Sequence, residues 1–178
     1  MKIIQGDLIE LAKQGHFEVI THGCNCQNVM GAGIAIPMKQ NFKCDEFPME
    51  APEFKGDINK LGTIDYMVRN LVLHKPIKLG NLNLLAADFG GFPLVVVNSY
   101  TQYRYGWNHV DGDQKPVDYE AITLCMRKIN HKFKGKSIGL PKIGCGLAGG
   151  DWKIVSKIFE KELKDMDVTV VELHTNRF

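Results

Sequence analysis

Hydrophobic and polar positions alternate along this chain in two recurring patterns. Short β-branched or apolar runs predict strands at Lys2–Ile4, Glu18–His22, Thr63–Val68, Leu94–Ser99, Ser137–Leu140 and Val168–Leu173. Within the fourth, Leu94-Val95-Val96-Val97 is apolar without a break, the signature of a strand covered on both faces. Helical periodicity predicts Leu8–Lys13 with Asp7 at its N-cap, Ile34–Asn41, Tyr119–Lys132 and Trp152–Leu163. In the third of these Ile122, Cys125, Met126 and Ile129 share one face. Strands alternating with helices predict an α/β fold, with a largely parallel sheet and helices on both faces. Residues 43–60 read as irregular, broken by Pro48 and Pro52, and residues 69–92 hold two short strand patterns and a Gly90-Gly91 turn without a firm placement.

Composition narrows the class. A chain of 178 residues favours one domain and can bury a full core without disulfides or metal. With 44% hydrophobic and 24% charged residues it matches an ordinary soluble domain. A net charge of +2 is too mild for a nucleic-acid binder, and Lys132, Lys134 and Lys136 read as a solvated helix end. The odd count of five cysteines (Cys24, Cys26, Cys44, Cys125 and Cys145) points to free thiols in a reducing compartment. The start MKIIQGD turns polar after four residues, and no window approaches the ~18 apolar residues of a membrane span, so the expected location is the cytoplasm.

Two glycine-rich loops carry the candidate chemistry. The first runs from His22 through Asn25 to Gly31, Ala32, Gly33 and Ile34, at the start of a helix. Free N–H groups at such a start face an anion, although the same glycines also fit a plain strand-to-helix turn. The second, Gly139 to Trp152, has Gly144, Gly146, Gly149 and Gly150 within seven residues, costly unless backbone amides must line a phosphate nest. Neither loop is a G-x-G-x-x-G or a G-x-x-x-x-G-K-[ST] motif. His22, at a strand end three residues before Asn25, suits proton transfer, and the same position fits a buried, hydrogen-bonded histidine. His16, His74 and His131 read as surface residues, while His109 and His174 carry no assignment. Tyr100, Tyr103, Tyr105 and Trp107 suit either nucleotide stacking or a flap over the sheet edge. His22, Cys24 and Cys26 lack the second ligand pair that structural zinc needs.

Taken in order, G-D-L at residues 6–8, H-G-C-N-C-Q-N-V-M-G-A-G-I-A from His22, N-S-Y-T-Q from Asn98 and L-P-K-I-G-C-G-L-A-G-G-D-W from Leu140 resemble a macrodomain over nearly the whole chain. The pattern is similar to phage, bacterial and yeast macrodomains of the ADP-ribose 1″-phosphate phosphatase group, and residues 69–92 stay unmatched. This resemblance implies a three-layer α/β/α sandwich on a mostly parallel mixed sheet, one macrodomain over residues 1–178 and a family-atypical insertion at 69–92. It implies that ADP-ribose or ADP-ribose 1″-phosphate is the ligand, in a scheme that requires no metal or cofactor; the charge and hydropathy above argue against a nucleic-acid or membrane partner.

The resemblance also implies site roles. Asp7 would accept the adenine amino group, or serve only as a helix cap, with Leu8 beside it. Gly31, Ala32, Gly33 and Ile34 would follow the distal phosphate and ribose, Asn25 would bind the ribose diol, and Thr101 would contact the ligand from the middle strand. Gly144, Cys145, Gly146 and Leu147 would form the second phosphate loop. The catalytic set implied is His22, Asn25 and Asp151, the last a general base or simply the cap of its helix. Branches that strip ADP-ribose from glutamate or DNA carry a lysine where this chain has Gln102; the acid-ester branch also carries an aspartate where this chain has Ala148. Those departures favour hydrolysis of the 1″-phosphate. The alternatives are a reader that binds ADP-ribose without chemistry, and a hydrolase that releases ADP-ribose from protein or nucleic acid.

Overall fold

The protein is described from a computed structural model covering residues 1–47, 55–72, 77–79, 82–84, 91–106 and 115–173. The elements are β1 (Lys2–Gln5), α1 (Leu8–Lys13), β2 (Val19–Asn25), α2 (Ala35–Phe42), β3 (Ile64–Val72), β4 (Ile77–Leu79), β5 (Leu82–Leu84), β6 (Gly91–Gln102), α3 (Tyr119–Lys132), β7 (Ser137–Leu140), α4 (Trp152–Glu162) and β8 (Asp167–Glu172). Six strands form one sheet in the order β1-β8-β7-β2-β6-β3. Every pairing in it is parallel except β3 against β6. The strands β4 and β5 pair separately as an antiparallel hairpin.

Alternation along the central strands builds two cores. Ile20, Leu94 and Val96 face α1 and α2, packing with Leu8, Ile9, Met38 and Phe42. Their neighbours Val19 and Val97 face α3 and α4, packing with Ile122, Met126, Ile129, Val155 and Phe159. The result is the expected three-layer α/β/α sandwich. Side-chain caps set the helix starts: Asp7 accepts from the Ile9 and Glu10 N–H groups, Asp118 from Ala121 and Asp151 from Lys153. Arg127 of α3 grips Glu162 of α4 through two bonds of 2.9 and 3.1 Å, locking that layer together and holding the Glu162 carboxyl below its ordinary range.

Several boundaries move. β2 runs on to Asn25, so Gly23 is a strand residue and not the start of the loop. β6 is twelve residues long and β3 extends to Val72, which absorbs both ends of the segment left unplaced by the sequence. Its two short strand patterns become the β4–β5 hairpin. Pro48, Pro52, His74, Trp107, His109 and His174 lie outside the described residues. Among the described residues no helix is long and apolar enough to cross a membrane.

Candidate functional site

Because β1, β8, β7, β2 and β6 all run the same way, their carboxyl ends form one edge of the sheet, the usual ligand edge of open α/β folds. Loop 1 leaves the end of β2 and loop 2 the end of β7, on adjacent strands. The two loops come close: a Cβ placed on Gly33 would lie 3.8 Å from Leu147 Cδ1.

Loop 1 is shaped by Asn25. Its side-chain oxygen accepts the Val29 N–H at 3.0 Å and its Nδ2 donates to the Val29 carbonyl at 2.9 Å. This clamp spends one N–H and one lone pair, so half of the amide's capacity remains for a ligand. Asn28 follows in the left-handed region at φ 53°, and Gly33 sits there at φ 56°. Helix α2 then begins without a side-chain cap. The N–H groups of Gly31, Ala32, Gly33 and Ile34 bond to nothing among the described residues, and α2 adds the positive end of its dipole behind them.

Loop 2 closes on itself through the N–H groups of Ile143, Cys145, Gly149 and Gly150. Those of Gly144, Gly146, Leu147 and Ala148 are unbonded among the described residues. Gly144 and Gly149 take φ of 75° and 72°, conformations that only glycine adopts without strain. Leu147, 70% exposed, reaches across to loop 1. Two rows of unpaired amides therefore stand side by side, the arrangement that receives an anion.

His22 is placed elsewhere. It is 0% exposed and points into the core under α2, bonded through Nε2 to Asn98 Oδ1 at 3.0 Å. Asn98 donates in turn to the Cys44 carbonyl at 2.7 Å, and the Cys24 and Cys44 sulfurs lie 3.6 and 3.7 Å from His22 Nε2. Burial lowers the imidazole to about 4, so the ring is neutral. His22 thus takes the buried, hydrogen-bonded setting that its strand-end position also fitted. Burial also pushes the thiols up, Cys44 to about 12, and among the described residues no His/Cys/Asp/Glu group is arranged to hold a metal.

The remaining candidates divide. Asp7 and Asp151 are exposed at the ligand edge, and both are caps. The Asp151 N–H donates to the Tyr119 hydroxyl at 2.8 Å, pinning the end of loop 2. Leu8 is buried beneath Asp7, and Cys145 is half-buried with its thiol raised to about 11 by burial. Thr101 is buried with its hydroxyl unpaired. Gln102, where related branches carry lysine, donates its amide to the Arg104 carbonyl at 2.8 Å. Of the aromatic stretch, Tyr100 is wholly buried and hydrogen-bonded to Asp65, which rules it out for stacking, while Tyr105 is exposed.

Sequence reasoning missed Lys142, whose ammonium meets Glu172 at 2.7 Å and lies 5.1 Å above the Trp152 ring, tying β8 to the base of loop 2. Its place inside L-P-K-I-G-C-G was the available signal. The buried Lys60–Asp65–Tyr100 group was also missed; it forms only when β3 meets β6.

No family model matches the chain. It is 28% identical over 177 residues, 97% of this chain and 96% of the other, to an uncharacterized 17.5 kDa protein of the tk–vs intergenic region of enterobacteria phage T4. Among solved structures it resembles a protein of unknown function from Bacteroides thetaiotaomicron, with TM-score 0.64 and 25% identity over 96% of both chains. The macrodomain of Mycobacterium tuberculosis DarG gives 0.60 at 20% identity, over 96% of this chain and 95% of that one. Thermosipho africanus DarTG in complex with ADP-ribose gives 0.59 at 17% identity, covering all of this chain and 43% of that one. With its six-stranded mixed sheet, four flanking helices and paired loops at one edge, the chain has the macrodomain fold.

Proposed function

We propose that this protein binds ADP-ribose, or a derivative of it, along the edge formed by loops 1 and 2. The observation that carries the reading is that two sets of unbonded backbone N–H groups leave adjacent strands, with Gly33 close to Leu147. A diphosphate presents adjacent anionic groups, and two amide rows receive both without a metal. Asn25, already oriented by Val29, offers its remaining donor and acceptor to a ribose diol. Asp7 offers a carboxylate to the adenine amino group. Support from outside the chain is the shared fold with a protein solved as an ADP-ribose complex.

The reaction proposed on that ligand is hydrolysis of ADP-ribose 1″-phosphate to ADP-ribose and inorganic phosphate, with one water consumed. With His22 enclosed, the oriented amides and Asn25 supply positioning and charge stabilisation, and Asp151 is the exposed carboxylate left to take a proton from water. Gln102 cannot form the imine that a lysine would, which favours this reaction over lysine-dependent release of ADP-ribose. Calorimetry with ADP-ribose, run beside phosphate release from the 1″-phosphate, tests both levels. Binding with release supports the full reading, binding alone reduces the protein to a reader, and no binding removes the reading altogether.

A further inference from the structure

Among the described residues, three buried side-chain polar atoms have no hydrogen-bond partner: Gln27 Oε1, Asn28 Oδ1 and Thr101 Oγ1. All three lie at the ligand edge, two in loop 1 and one at the end of β6. The most enclosed is Thr101, 1% exposed. Buried hydroxyls are almost always paired, and leaving one unpaired carries a real cost.

The sheet shows why this hydroxyl is left over. On the face toward α3, Thr21 Oγ1 and Ser99 Oγ satisfy one another at 2.8 Å across β2 and β6. The next diagonal rung toward the ligand edge joins residue 23 to Thr101. Position 23 is glycine, and a Cβ there would sit 2.8 Å from Thr101 Oγ1 and 3.0 Å from Ile143 Cγ2. At that rung the register also slips: Cys24 pairs with Tyr100 but Asn25 with Gln102, so Thr101 is the extra residue of a bulge. The backbone carbonyl of Thr101 is held by the Asp118 N–H at 3.2 Å, while its hydroxyl and the Ile143 Cγ2 of loop 2 both crowd the space over Gly23.

We infer that Thr101 is a ligand-positioning residue whose hydroxyl acquires its partner only when the diphosphate sugar is bound. The bound ligand is the partner the hydroxyl lacks, met where Thr101 Oγ1 and Ile143 Cγ2 crowd the same point above Gly23. This rests on the ADP-ribose reading above. It makes the free protein slightly less stable than an apolar residue at 101 would, in exchange for affinity. A hydroxyl serving the free fold would have the opposite signature.

The experiment compares wild type, Thr101→Val and Thr101→Ser by thermal melting without ligand and by calorimetry with ADP-ribose. Thr101→Val is expected to melt at or above the wild-type temperature while its affinity for ADP-ribose falls by up to about tenfold, the worth of one ordinary hydrogen bond. Thr101→Ser, which restores the hydroxyl, is expected to recover affinity to within about threefold. A Thr101→Val protein that melts clearly lower overturns the inference, since the hydroxyl would then be paired in the free state. Wild-type affinity in Thr101→Val overturns it equally. If the wild type itself binds no ADP-ribose, the parent reading fails and this inference with it, an outcome distinct from loss in the variant alone.

Discussion

The N–H of Gly150 donates to the carbonyl of Gly144 at 2.8 Å, and a Cβ on residue 150 would stand 2.7 Å from that same oxygen. Loop 2 is thus closed by a contact that admits no side chain. Gly150→Ala must open the loop, at a cost of about 1–3 kcal/mol. Chemical denaturation is expected to show that loss, and calorimetry a fall in ADP-ribose affinity. A variant with unchanged stability and affinity would contradict the closure.

The contact of loops 1 and 2 gives a second prediction. Gly33→Ala puts a Cβ on a residue at φ 56°, costing about 1 kcal/mol of strain, and re-aims amides that would face the phosphates. Leu147→Ala leaves the backbone alone and removes only an exposed side chain. ADP-ribose affinity is expected to fall by about tenfold in Gly33→Ala, as if one charge-assisted bond were lost. Leu147→Ala is expected to keep wild-type stability in urea, with weaker binding because the loops are no longer bridged.

Asn25 supports loop 1 by two bonds to one residue. Asn25→Asp keeps the acceptor for the Val29 N–H but faces a carboxylate toward the Val29 carbonyl. The loop should loosen, with a stability cost of about 1–3 kcal/mol. Hydrogen exchange at the Val29 amide should accelerate in both Asn25→Asp and Asn25→Ala, more strongly in the latter.

His22 sets a pH dependence of stability. In the folded chain the ring titrates at about 4, and in the unfolded chain near its ordinary value of about 6.5. Between these values the unfolded state binds more protons, so stability rises with pH. The contribution is complete above about pH 6.5, drains as pH falls, and is exhausted near pH 4, a span on the order of 3 kcal/mol. His22→Gln is expected to flatten that slope in denaturation measured from pH 4 to 7. Phosphate release per folded molecule should persist in the same variant, since the ring does not reach the ligand edge.

Much of this was legible in the sequence. Asp7, the bounds of α3 and β7, and the two glycine loops follow from local chemistry: caps, periodicity and backbone freedom. Which of the two settings open to His22 it takes was not legible, because its surroundings are long-range. Period-two alternation already put His22 on the Ile20 face, but the cover over that face comes from Cys44, twenty-two residues later. Gly23 was read as a loop residue for a related reason: what requires a glycine there is Thr101, on a neighbouring strand. Tyr100 looked available for stacking until β3 supplied Asp65 beneath it. Each miss needed a contact with a distant part of the chain that no local window contains.

The reversed direction of β3 has a consequence for how this protein tolerates change. Val72, where β3 ends, pairs with Gly91, where β6 begins. Both anchors of the intervening stretch therefore lie at the amino-terminal rim of the sheet, a full strand length from Gly33 and Gly146. Insertions or deletions made directly at Val72 or Gly91 therefore strike the rim opposite the two glycine loops, and the strand pairing between them is what they disturb first.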